Sequence, residues 1–222
     1  MDSDRLRDMT SDDPASPQRV LLLHGIWNAK VWLGPLAARL RAAGFRVEIF
    51  GYPSVFGGPE VAVPLLIARL RDSEPVALLG HSLGGLIALE ALSREPDLPV
   101  TRVVCLGSPL RGSHAARGLA GRIWTSPALG RSAGLLLRGF ERWQGKQQVG
   151  MVAGNVPHGL GRYFARFEDE SDGTVALGET RLPGLTDHCV VASSHSGLVF
   201  SAAAALQAAH FLNHGHFAPN PL

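Results

Sequence analysis

The sequence predicts an α/β fold, with a mostly parallel central sheet of about six strands and helices on both faces. Two observations carry that expectation. Short runs such as Val20-Leu21-Leu22-Leu23, Val76-Ala77-Leu78-Leu79 and Val103-Val104-Cys105-Leu106 are apolar along their whole length, as strands buried on both faces are. Stretches with helical apolar spacing lie between them. Strand and helix therefore alternate, which is the pattern of a parallel sheet built from crossover units. At 222 residues, with 45% hydrophobic and 18% charged residues, the chain is long enough for one substantial core.

Taken in order, residues 1–18 are polar and carry Pro14 and Pro17, so a mobile tail is expected ahead of a domain over 19–222. Asp2, Asp4 and Asp8 stand where a secretory signal needs bases, and no apolar segment follows them. No apolar run approaches the roughly 18 residues needed to span a bilayer, so a cytoplasmic location is expected. The first strand ends at His24-Gly25-Ile26-Trp27. A helix over 32–43 follows, with Leu33, Leu36, Ala37 and Leu40 on one face and Gly44 as its C-terminal stop. Arg46 to Phe50 is the second strand, ended by Gly51-Tyr52-Pro53, and a helix over 60–72 leads to the third, at Val76. The fourth strand, 102–106, ends in Gly107-Ser108-Pro109. The fifth and sixth are expected at 148–153 and 188–192, and a last Ala/Leu-rich helix at 197–213.

The third strand and the Leu86–Leu92 helix are joined by Gly80-His81-Ser82-Leu83-Gly84, a G-x-S-x-G pattern. A strand that reverses directly into a helix strains its turn residue, and the positions two before and two after must lack bulk. Glycine at 80 and 84 meets that need. The turn lifts the Ser82 hydroxyl above the sheet edge and aims a helix N-terminus at it. Ligands of such sheets sit beyond the carboxyl ends of the strands. Each motif here follows a predicted strand directly.

Residues 20–34 and 76–112, with two later motifs, resemble the α/β-hydrolase superfamily, and within it the small bacterial lipases and esterases with a Gly-His-Ser-Leu-Gly elbow. The resemblance implies a serine hydrolase that cleaves carboxylic esters, of acyl or lipid-like substrates, through an acyl-enzyme on Ser82. Thioesterase, amidase or acyltransferase chemistry on the same residues is the alternative, and a non-catalytic binding protein of the same fold is a further one. A serine hydroxyl needs a base, and the base an orienting acid. His195, between the sixth strand and the last helix, stands at the family's position for the base. Asp172-Gly173-Thr174-Val175 resembles the segment that carries the family's acid, with Asp169 and Asp187 as other candidates; Asp172 could equally do no more than cap a turn. The order Ser82, Asp172, His195 is the family's. The oxyanion donors implied are the Leu83 N–H and the Ile26 N–H, with Trp27 as the alternative to Ile26. His24 is expected to shape that loop, His81 to point away from the hydroxyl, and His188 to be structural.

Residues 112–146 match the family's lid or wall insertion. The stretch 111–146 holds Arg111, Arg117, Arg122, Arg131, Arg138, Arg142 and Lys146 against Glu141 alone, an excess of +6. It is read either as a surface helix with a solvated basic face or as an apolar, cationic cover that touches an anionic lipid surface. On the second reading Trp27, Trp124, Phe140 and Trp143 bind substrate. A net charge of +2 without a basic run excludes nucleic acid as the main partner. No metal is expected, since H-E-x-x-H and paired C-x-x-C patterns are absent. No nucleotide cofactor is expected, since Gly57-Gly58 lacks the following Lys-Ser/Thr. Cys105 and Cys189 are expected unpaired, because the family's sheet order places a strand between theirs.

Overall fold

The computed structural model describes residues 18–26, 30–116, 130–157 and 170–219; the polar segment expected to be a mobile tail lies outside them but for Gln18. Six strands form one sheet: β1 (Arg19–Leu23), β2 (Arg46–Phe50), β3 (Val76–His81), β4 (Val100–Leu106), β5 (Gln148–Gly154) and β6 (Asp187–Val191). Their order is β2-β1-β3-β4-β5-β6 and every pairing is parallel. Around them stand α1 (Gly34–Ala42), α2 (Gly58–Arg71), α3 (Leu83–Arg94), α4 (Ala133–Arg138), α5 (Leu177–Thr180) and α6 (Ala202–His214).

Alternation along the strands divides the core in two. Leu21, Leu23, Leu78, Val103, Cys105, Val149 and Met151 face a layer built from α2 and α3, with Leu66, Leu86 and Leu89 in its centre. Val20, Leu22, Ala77, Leu79, Val104, Leu106 and Val152 face α1 and α6, where Leu36, Leu40 and Phe211 fill the space. Both faces of the central strands are thus buried, which is why their sequences are apolar without alternation. Cys105 on β4 and Cys189 on β6 are both free thiols, with β5 between their strands.

The expected last helix is in fact two elements. A 3-10 turn, Ser196–Val199, is followed by α6, which begins only at Ala202. Ser201 separates them because its extended backbone (ψ 124°) and side chain, accepting from the Ala204 N–H at 3.1 Å, form the N-cap. No helix among the described residues is long and apolar enough to cross a membrane.

The chain passes from β1 out to β2 and then returns to β3 on the other side of β1. From β1 it leaves toward the α1 face and from β3 toward the α3 face, so a crevice opens between their carboxyl ends. Ile26 and Ser82 stand at its two sides.

Candidate active site

Ser82 closes β3 and opens α3 with φ 55° and ψ −120°; it is the one non-glycine at positive φ among the described residues. Such a backbone costs about 1–3 kcal/mol and persists only where the surroundings impose it. Here the Ser82 N–H donates to Leu106 O at 2.8 Å, and the Gly85 N–H donates to Ser82 O at 3.1 Å. The turn is so tight that a Cβ on Gly80 would lie 2.3 Å from Gly85 N, and one on Gly84 2.4 Å from Leu23 O. Those two contacts are the physical content of the glycines in the motif.

Three side chains from three strand ends meet at this turn. His195 Nε2 lies 3.0 Å from Ser82 Oγ, and His195 Nδ1 lies 2.7 Å from Asp172 Oδ2. All three residues are buried, Asp172 to 1% exposure. Asp172 makes both contacts, one from each carboxylate oxygen. Its Oδ1 caps a turn, accepting from the Thr174 and Val175 N–H groups at 2.9 and 2.7 Å, while Oδ2 is left for the imidazole. A carboxylate can only accept, so Oδ2 fixes the proton of neutral His195 on Nδ1, and Nε2 presents its lone pair to the serine. The His195 N–H also donates to Asp172 O at 2.9 Å, tying the two residues together through the main chain. Gly107, at φ 55°, leaves room for the pair: a Cβ there would stand 3.2 Å from both Asp172 Oδ2 and His195 Nδ1.

No protein-family model matches the chain, and no curated protein does. Solved structures do. The lipase BlEst2 of Bacillus licheniformis, in its mature form, superposes with a TM-score of 0.73 at 22% identity, covering 90% of this chain and 92% of that one. An α/β-hydrolase enzyme, MGS-MChE2, from the metagenome of lagoon sediments at Mar Chica, Morocco, gives 0.57 at 20% identity, with 90% and 92% covered. The type II thioesterase BorB from the borrelidin biosynthetic cluster gives 0.53 at 18% identity, with 88% and 91% covered. The chain has the α/β-hydrolase fold.

Leu83 opens α3, and as the first residue of the helix its N–H has no intrahelical acceptor. Ile26 is half-buried against the α2/α3 layer, and Trp27 lies outside the described residues. His24 braces the loop between them. Its ring stacks on Tyr52 at 4.3 Å, its Nδ1 meets Gly25 O at 2.8 Å, and the Tyr52 hydroxyl donates to His24 O. Burial drives the Tyr52 pKa upward, so the phenol keeps the proton that this bond requires.

The other candidates are elsewhere. Asp187 starts β6, at the end of the sheet opposite Ser82, where it accepts from the His188 and Phe217 N–H groups at 2.7 Å each. Asp169 and Trp124 lie outside the described residues. Trp143 is a correction. It is buried beside the start of β5, its indole N–H donating to Gln147 O at 3.0 Å, again at the far end of the sheet. It fills the core there and cannot line a groove at Ser82. Phe140 is half-buried near the carboxyl end of β4, its N–H donating to Leu110 O at 2.7 Å. The cationic excess of 111–146 is also partly spent within the protein. Arg138 pairs with Glu90 of α3 at 2.6 Å, and Lys146 pairs with Asp97 at 2.7 Å.

Burial, and next the charge of His195, push His81 down to about 3 from an ordinary 6.5. Burial likewise lowers His188. Between those two pH values the unfolded chain takes up a proton at position 81 that the folded chain refuses. Stability is therefore expected to be full above about pH 6.5 and to fall as pH drops toward 3. Urea melts across that range check this, and His81→Gln should flatten the fall. A stability that stayed level from pH 7 to 4 would contradict it.

Proposed function

We propose that the chain is a serine hydrolase that cleaves carboxylic esters, with Ser82 as nucleophile, His195 as base and Asp172 as orienting acid. The observation that carries this reading is the unbroken chain of contacts, Asp172 Oδ2 to His195 Nδ1 at 2.7 Å and His195 Nε2 to Ser82 Oγ at 3.0 Å, at a strained strand-to-helix turn.

Ser82 Oγ attacks the ester carbonyl carbon while its proton passes to His195 Nε2. The new C–O bond leaves a negative oxygen, which the Leu83 and Ile26 N–H groups receive; one such donor is worth about 3–4 kcal/mol to the transition state. The imidazolium, held by Asp172, gives its proton to the departing alkoxide, and the acyl group stays on Ser82. Water then attacks, again losing its proton to His195, and the acid leaves as Ser82 recovers its hydrogen.

Half-buried apolar side chains stand at the carboxyl ends of β1 and β2 and beside α4: Ile26, Phe50, Leu137 and Phe140. We read them as a wall suited to an acyl chain. Burial of about 0.8 kcal/mol per methylene raises kcat/KM by up to roughly fourfold per carbon until the wall is covered. Two measurements test the reading. A fluorophosphonate probe should label Ser82 and no other residue; correctly folded protein that takes no label would point to a binding protein instead. In a series of p-nitrophenyl esters, medium acyl chains of roughly six to ten carbons should exceed acetate. Phe140→Ala should flatten that preference. A profile falling from two carbons upward would replace the wall with a small closed pocket, and faster turnover of matched thioesters would shift the class to thioesterase.

A further inference from the structure

His81 immediately precedes Ser82 and is buried to 2% exposure. It ends β3, and alternation along that strand sends its ring to the same face as Ala77 and Leu79, beneath the turn that carries His195. There its Nε2 lies 3.1 Å from His195 O, and the two rings stand 4.9 Å apart at 43°. We propose that His81 is a positioning residue, holding the main chain of the base so that His195 Nε2 stays aimed at Ser82 Oγ.

The tautomer follows from the partner. A carbonyl can only accept, so the His81 proton is on Nε2 and Nδ1 is bare. That bare Nδ1 is buried with no hydrogen-bond partner among the described residues. A buried unsatisfied nitrogen is a cost that a phenylalanine or leucine of similar size would not carry. The hydrogen bond on the other nitrogen is the compensating gain, and it goes to the backbone of the base. With it, His195 is clamped on both sides. Its N–H donates to Asp172 O at 2.9 Å, and its C=O accepts from the residue that immediately precedes the nucleophile. Nucleophile strand, base and acid are thereby joined by main-chain contacts as well as by their side chains. The neighbouring charged and titratable groups are His195, Asp172 and His24. Burial keeps His81 neutral beside them, so it does not repel the imidazolium that forms on His195.

This role rests on the ester-cleaving reading of Ser82, and the test separates the two. His81→Phe keeps the ring's bulk and removes the donor. Gln places an amide N–H near the old Nε2, whereas Asn is one bond too short to reach. Loss of the clamp lets the base drift by a fraction of an ångström or more, so kcat should fall about ten- to a hundredfold in the Phe and Asn variants with KM nearly unchanged. Gln should restore kcat to within about threefold of the parent, and fluorophosphonate labelling rates should follow kcat. The downfield proton resonance of His195 Nδ1 supplies a readout that needs no substrate. It should be sharp in the parent and the Gln variant and broadened in Phe and Asn. Equal damage in Gln, Asn and Phe, or a Phe variant within threefold of the parent in kcat with an unchanged resonance, would overturn the role. Absence of ester turnover in the parent would sink the hydrolase reading alone, since the resonance still reports the positioning.

Discussion

Ser82→Ala is expected to lower ester turnover by on the order of 10⁵ to 10⁶-fold, the loss seen when a nucleophile acting as part of a unit is removed. The fold should survive, because the side chain is small and its one hydrogen bond is to His195 Nε2. The same position offers a second measurement. Alanine keeps a Cβ and therefore the strain at φ 55°, whereas glycine adopts that conformation freely. Ser82→Gly should thus be more stable than Ser82→Ala by about 1 kcal/mol, after its greater loss of backbone entropy is counted. A Ser82→Gly variant less stable than Ser82→Ala would mean that the turn stores no strain. Residual turnover above a tenth of the parent in Ser82→Ala would remove the serine from the mechanism.

The strands were readable because their information is local. Val20–Leu23, Val76–Leu79 and Val103–Leu106 are buried on both faces, and a run without polar residues says so directly. The elbow was readable for a related reason: Gly80 and Gly84 answer to atoms only a few residues or one strand away. What was not readable depends on long-range contacts. Trp143 has the composition of a groove residue, yet its indole is satisfied by Gln147 O beside the wrong end of β5. Arg138 and Lys146 look like free charge in a basic stretch, and their partners Glu90 and Asp97 lie 48 and 49 residues away. Gly107 carries no motif of its own, and only the packed structure shows that its missing side chain leaves space for Asp172 and His195. His81 read only as a residue of the elbow that points away from the hydroxyl. Strand parity could have placed its ring on the α1/α6 face, but not under a loop 114 residues further on.

The acid is where sequence reasoning left three aspartates open, and it gives the second large effect. Asp172→Asn should lower kcat by roughly 10⁴-fold with KM little changed. The reason lies in the hydrogen bonds that the buried side chain already makes. Oδ1 accepts from the Thr174 and Val175 N–H groups, so an asparagine must put its oxygen there. Its NH2 then faces His195 Nδ1 at the place of Oδ2. An NH2 donates, so Nδ1 must become the acceptor and the ring proton moves to Nε2. That nitrogen can then no longer take the serine proton, although every atom is nearly where it was. Most of the turn's hydrogen bonds persist, so the melting temperature should fall only modestly. Asp187→Asn should do the reverse. It weakens bonds to His188 N and Phe217 N at the far end of the sheet, costing about 1 kcal/mol of stability while turnover stays at the parent's level. If Asp187→Asn were the variant that lost turnover, or if Asp172→Asn kept more than a hundredth of it, the acid would have to be sought elsewhere.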